Sequence, residues 1–150
     1  MTSAGWVRFF ARIMLGLIFF MAGWYKCFVM TPMGHARTYF TEPYADSWIP
    51  HILLLAAGVT VPIVELAAGA LLLAGYRVRD ALIALGMVLL LVTYGHLLKE
   101  PLFSITGHIF PRFVLLGCVF LLPAREDRLS VDAWLAHRLD SKSASRSGSS

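Results

Sequence analysis

The chain is 150 residues long, enough for one domain, and is 58% hydrophobic, 15% charged and formally +4 at pH 7. A soluble domain of this size carries about 45–50% apolar and about 25% charged residues, so the composition excludes an ordinary water-solvated surface. Nucleic-acid binding is excluded as well: the basic residues stand at the ends of apolar runs and in the C-terminal tail, with no basic stripe interleaved with aromatics.

Four long apolar runs follow one another, at about residues 7–30, 52–76, 81–98 and 102–124. Each is near the roughly 20 residues that a helix needs to cross about 30 Å of hydrocarbon. The runs are continuously apolar rather than alternating, and in lipid every backbone group must be satisfied within its own segment, which makes them helices. The first run has Arg8 and Arg12 ahead of it, as a secretory signal does, but no small-residue cleavage box follows and the run continues through Met30. It is read as a retained helix. Gly16 and Gly23 lie on one of its sides, and Ala68, Gly69 and Gly75 play a similar part on the second, where small residues let helices approach closely. Gly58 and Pro62 are expected to bend the second helix.

The connections set the expected topology. The first, Thr31 to Pro50, carries Tyr39, Phe40, Tyr44 and Trp48; it reads as an aromatic belt at the interface or, alternatively, as a lid or docking surface. The second is a tight turn at residues 77–80 and the third lies near Lys99-Glu100-Pro101. Short links predict an all-α, up-down four-helix transmembrane bundle over residues 1–124. With both termini cytoplasmic, nine Lys and Arg fall inside and four outside, which sets the orientation. Beyond the bundle, Ser130 can cap a short helix with Asp132 in its first turn, and Trp134, Leu135 and Leu139 give residues 125–139 an apolar side suited to the inner membrane surface. Residues 140–150 are serine-rich and read as a disordered tail.

Ionisable groups inside the bilayer are costly and usually face a cavity or a partner. Counting straight helices up from a common cytoplasmic plane places Arg12 at roughly 8 Å, Glu65 at roughly 16 Å, Arg112 at roughly 18 Å, His96 at about 22 Å, His108 at about 24 Å and Lys26 at about 28 Å. Glu65 and Arg112 then share a depth and are expected to pair, with Arg12 as the rival partner. Lys26, His96, His108 and Arg112 fall in the outer half, and with Glu65 they are the expected lining of an outward-facing polar pocket. Such a pocket suits an anion, an acidic lipid headgroup or the carbonyl oxygens of a quinone. The competing reading is structural: the same charges fix helix register or end in interface water. No metal site is expected, because His96 and His108 lack Cys or carboxylate neighbours at ligand spacing. Cys27 and Cys118, about 20 Å apart along the helix axes, read as packing residues rather than a disulfide. No catalytic motif of a soluble enzyme is present.

Arg12, Gly16 and Gly23-x-x-Lys26 on the first helix, Glu65-x-x-x-Gly69 and Gly75-Tyr-Arg77 on the second, and Ser130-x-Asp132 near the end, in that order and spacing, resemble the DoxX family of small bacterial four-helix membrane proteins. The resemblance spans about residues 8–139. The closing Pro123-Ala-Arg-Glu departs from the Gly-Pro-Gly-like turn frequent in that family, and His108-x-x-Pro111-Arg112 has no counterpart in it. The resemblance implies a bacterial inner-membrane protein beside redox chemistry, like family members that look like subunits of a thiosulfate:quinone oxidoreductase or that accompany oxidative-stress enzymes. Arg12, Lys26 and Glu65 are then the family's polar positions. The expected function is a redox-associated accessory protein holding a quinone or an anionic lipid headgroup, with no catalytic residue of its own and quinone as the candidate cofactor. The alternatives are a structural or assembly subunit of a respiratory-type complex, partnered by another membrane protein or by copies of itself, and a small transporter.

Overall fold

The structure is a computed structural model that describes residues 2–100, 107, 109–124 and 127–138. Every regular element among them is helical. Helix α1 (Ser3–Trp24) passes into a π-helical turn over Tyr25–Val29. Helix α2 (Pro32–Ala36) passes into a second π-helical turn over Arg37–Thr41. Helices α3 (His51–Ala74), α4 (Val78–Lys99) and α5 (Ile109–Leu121) follow, and a short helix α6 covers 131–138.

Three of these, Ser3–Val29, His51–Ala74 and Val78–Lys99, are long and apolar enough to cross a membrane. Helix α5 is apolar but shorter; its 13 residues span only about 20 Å. Most of the preceding part of the expected fourth run, His108 included, and the serine-rich tail lie outside the described residues. Helix α1 packs on α3 and α5, and α4 packs on the same two helices, so each long helix has two neighbours.

The local signals for the ends are polar. Thr2 caps α1 by accepting from the Gly5 amide at 3.2 Å. Pro32 starts α2 behind Thr31, whose hydroxyl accepts from the Gly34 amide at 3.1 Å. Helix α3 stops at Gly75 in the left-handed region (φ 68°), and the Tyr76 amide reaches back to the Leu71 carbonyl, the pattern of a Schellman end. Helix α4 begins at Val78, three residues ahead of the expected start at 81, because both oxygens of Asp132 cap it: they accept from the Arg77 and Val78 amides at 2.9 and 3.1 Å. That cap comes from 55 residues down the chain and has no local signature. Ser130 caps α6, accepting from the Ala133 amide at 3.2 Å.

In a bilayer the hydrophobic effect gives helices little reason to associate, so close packing and internal polar bonds carry the burden. Small residues set the contact between α1 and α3. A Cβ added at Gly69 would lie 2.5 Å from the Phe20 amide nitrogen, one at Gly16 would press on Leu72 and Leu73, and one at Gly23 would collide with the Leu66 backbone. Reading these contacts in order shows two antiparallel helices with Gly16 level with Leu73. Helix α3 ends one residue later, while α1 continues back to Ser3, an overhang of about 18 Å.

Two arginines of the overhang finish the neighbouring helices. Arg12, fully buried, donates from Nη1 to the Leu72 and Leu73 carbonyls at 2.5 and 3.2 Å, from Nη2 to Leu129 at 3.1 Å, and from Nε to Asp127 at 2.7 Å. Arg8 does the same for α5, donating to the Val119 and Leu122 carbonyls. A cation at a helix C-terminus meets both the orphan carbonyls and the negative end of the helix dipole. The apolar core, including Leu15, Phe19, Leu72, Leu85 and Val119, lies between these caps and the middle of the bundle.

Two sets of variants test this account by thermal unfolding in detergent. Gly69→Ala is expected to destabilise by about 1–3 kcal/mol because backbone has to move. Gly86→Ala, where an added Cβ meets only Leu116 at 3.8 Å, is expected to be neutral or to stabilise by about 0.5–1 kcal/mol. Arg12→Ala leaves the Asp127 carboxylate buried without its cation and is expected to cost about 3–5 kcal/mol; the Arg12→Met/Asp127→Leu double variant is expected to recover only the part due to the carboxylate, because the Leu72, Leu73 and Leu129 carbonyls still lack their donor.

Candidate ligand-binding site

Away from the Arg8 and Arg12 caps the bundle opens. A cavity of about 710 Å³ lies between the ends of the long helices and the segment that joins α1 to α3. Its wall is mostly aromatic and aliphatic: Tyr39, Phe40, Tyr44 and Trp48 come from the joining segment, and Leu54, Val61 and Leu91 from α3 and α4. The cationic and imidazole groups in the wall are Lys26, His35, His96 and Arg112.

The π-helical turn places Lys26. Its Nζ donates to Glu65 Oε2 at 2.6 Å, an ion pair in which Glu65 is 5% and Lys26 25% exposed. Glu65 therefore stands behind the wall and holds Lys26, which itself reaches the cavity. This corrects the expected pairing: neither Arg112 nor Arg12 is the partner of Glu65. The error came from counting every helix up from one plane. The contact register sets α3 about six residues along α1 from that assumption, which raises Glu65 by about 9 Å to the level of Lys26. The same shift brings Arg12 level with the end of α3, where it pairs with Asp127 instead.

Arg112 lies over the ring of the core residue Phe19, its guanidinium carbon 5.6 Å from the centroid. Among the described residues no carboxylate pairs with it. Cation–π contact lowers the cost of that charge without neutralising it. The cavity thus has a cation at its base, beside the core, and an ion pair higher up. His96 forms part of the α4 wall.

One wall residue, His35, escaped the sequence reading, and a second, Tyr44, entered it only as part of an aromatic belt or lid. His35, 4% exposed, sits between the rings of Tyr39 and Phe40 at 5.2 and 5.6 Å, with Nδ1 2.7 Å from the Gly58 carbonyl oxygen. Burial holds its pKa below the ordinary imidazole value; the Gly58 bond opposes that shift and the Lys26 charge adds to it. Tyr44 donates its hydroxyl to the Gly95 carbonyl at 2.6 Å, with the Lys99 ammonium 5.7 Å from its ring centroid, and burial pushes its pKa up so that it stays a donor. Together these bonds fasten the joining segment across α3 and α4, and it roofs the cavity.

The signal for His35 was present in α3. Pro62 has no amide hydrogen, so the carbonyl four residues earlier, that of Gly58, loses its helical donor. In a membrane that carbonyl needs a replacement. Gly58 also lets the α2 backbone come close, since a Cβ there would lie 2.5 Å from Ala36 Cα. Gly58 and Pro62 together form a socket for a donor from outside the helix, and His35 fills it. Tyr44 left no comparable trace.

These features define a helical membrane protein with an amphiphile-sized cavity at one end. Residues 7–97 match the DoxX family model, so the chain belongs to the DoxX family. That match covers α1 to nearly the end of α4, with Lys26, His35, Glu65 and His96, and stops short of Arg112 and the Asp127–Asp132 caps. Neither curated proteins nor solved structures yield a match to this chain.

A double-mutant cycle tests the socket. His35→Ala is expected to destabilise the protein by about 1–3 kcal/mol by leaving the Gly58 carbonyl unsatisfied. In a Pro62→Ala background, residue 62 regains an amide that can donate to Gly58, and the cost of His35→Ala is expected to fall by about 1 kcal/mol or more. Additive effects of the two changes in thermal unfolding would refute the socket.

Proposed function

We propose that this DoxX-family protein is a redox-associated accessory protein that holds a quinone or an anionic lipid headgroup in the cavity. The observation that carries the reading is an apolar, aromatic cavity whose wall includes Arg112, a cation without a carboxylate partner among the described residues. Ligand pockets of this kind are mostly apolar with a few placed polar groups that fix orientation. A ring stacks on the aromatic wall, and an apolar tail extends along the exposed helix faces toward lipid. The oxygens of the head group accept from Arg112 and Lys26, Glu65 keeps Lys26 in place, and His96 adds a further polar contact from α4. His108 belongs to the proposed lining by sequence.

Orientation follows from charge. Placing both termini in the cytoplasm puts nine of the 13 Lys and Arg on that side, and the cavity then faces outward from a bacterial inner membrane. The chain supplies binding, and a partner enzyme in the same membrane supplies electron transfer, as a non-catalytic subunit beside a quinone-linked oxidoreductase requires.

Native purification in mild detergent, followed by mass analysis of bound lipids and proteins, tests this. The wild type is expected to carry a quinone or an acidic lipid, and Arg112→Ala is expected to reduce it at least about tenfold, the size of one lost charge-assisted hydrogen bond. A wild type that carries neither, yet copurifies with a respiratory enzyme that Lys26→Ala and Arg112→Ala leave attached, would replace this reading with an assembly role.

A further inference from the structure

The tautomer of His35 can be deduced. The Gly58 carbonyl can only accept, and Pro62 cannot donate to it, so the nitrogen facing it at 2.7 Å, Nδ1, carries the hydrogen. A neutral imidazole with hydrogen on Nδ1 has a bare lone pair on Nε2. The ring is 4% exposed and part of the cavity wall, and Nε2 has no hydrogen-bond partner among the described residues. Burial holds the ring's pKa below the ordinary imidazole value, with the Gly58 bond opposing, Lys26 adding and Glu65 opposing.

The charged groups of the same wall are of the opposite kind. Lys26 and Arg112 donate and cannot accept. Tyr44 gives its hydrogen to the Gly95 carbonyl and keeps an oxygen that can accept. The cavity wall therefore combines cationic donors with hydroxyl groups that can also donate and, in Nε2 of the buried His35 ring, an acceptor that carries no hydrogen of its own.

We infer that the cavity selects a phenolic head group, whose hydroxyl donates to Nε2 of His35 while its oxygens accept from Lys26 or Arg112. This rests on the binding role proposed above and narrows it: of the two redox forms of a quinone, only the reduced quinol has hydroxyl hydrogens, whereas the oxidised form has acceptors alone. A quinone in this cavity leaves Nε2 unsatisfied. Sites built around a hydroxyl discriminate against analogues that lack it, because the protein's own group is then left buried and unpaired. One such bond is worth about tenfold in affinity. By linkage a tenfold preference for the reduced form raises the midpoint potential of the bound two-electron couple by about 30 mV.

The test uses the purified full chain in detergent under anaerobic conditions, with decylubiquinol and decylubiquinone as probes and affinities read by thermophoresis. The wild type is expected to bind the quinol about tenfold more tightly than the quinone. In His35→Asn the amide nitrogen can still donate to Gly58 while nothing occupies the Nε2 position. This variant is expected to weaken quinol binding, relieve the quinone of the unpaired Nε2 and so reduce the roughly tenfold preference to about one. Equal binding of both probes by the wild type overturns the inference and leaves the binding role standing. So does a quinol preference unchanged in His35→Asn. If the wild type binds neither probe, the quinone-binding role itself falls, and this inference with it. The wild-type comparison needs no variant to fold.

Discussion

A carbonyl oxygen in hydrocarbon must find a donor inside the protein, and the fold is organised around the few places where the helices cannot supply one. Helix ends leave carbonyls bare, and so does a proline in mid-helix. Here Arg12 covers the end of α3, Arg8 the end of α5, and His35 the gap that Pro62 opens in α3. In each case the donor comes from a different segment, so satisfying the backbone also fastens one element to another. The same logic applies to amides at the start of α4, where Asp132 is the acceptor. A bilayer offers little hydrophobic incentive for association, and these bonds supply a directional one.

The two ends of the bundle divide the work. At the Arg12 end, small residues let α1 and α3 touch, Leu15, Phe19, Leu72 and Leu85 fill the interior, and a buried Arg–Asp pair locks the return of the chain from α5. At the Lys26 end, π-helical turns and a roof of Tyr39, Phe40, Tyr44 and Trp48 replace direct helix packing, and a cavity remains. π-Helical turns within helices gather at functional sites because they change which face a side chain presents. The turn at Tyr25–Val29 presents Lys26 to Glu65. The packed end gives the open end a rigid base, with Arg112 resting on Phe19 where the two meet.

How much of this could be read from the sequence follows from the range of each interaction. The apolar runs, the small residues of α1 and α3, and the Ser130 cap are local patterns, and they foretell the long helices and their contact. Glu65 and Lys26 stand out singly as charges in apolar runs, but their pairing depends on the stagger between α1 and α3, which no single run encodes. The early start of α4 depends on Asp132, far along the chain. The segment from Thr31 to Pro50 reads as an aromatic belt or a lid from its composition, but its short helix and the His35 bond that fastens it to α3 have no local signature. Pro62 implies from sequence alone that the carbonyl four residues earlier lacks a helical donor, but nothing local names His35 as the donor that replaces it.

The socket and the cavity are coupled by a single ring, which bears on what can vary. His35 spends Nδ1 on the backbone while its ring forms part of the cavity wall, so a residue that preserves the fold at this position need only donate. Asparagine and glutamine can donate, at different reach, and alanine cannot. Arg112 has no such double duty, for it caps no helix and pairs with no acid among the described residues. A half-buried cation within an apolar bundle is costly to keep unless something offsets it. Lys26 has its cost offset by Glu65, and Arg12 by Asp127 and three carbonyls. Arg112 has only a ring beneath it, so of these three cations it is the one that the described residues compensate least.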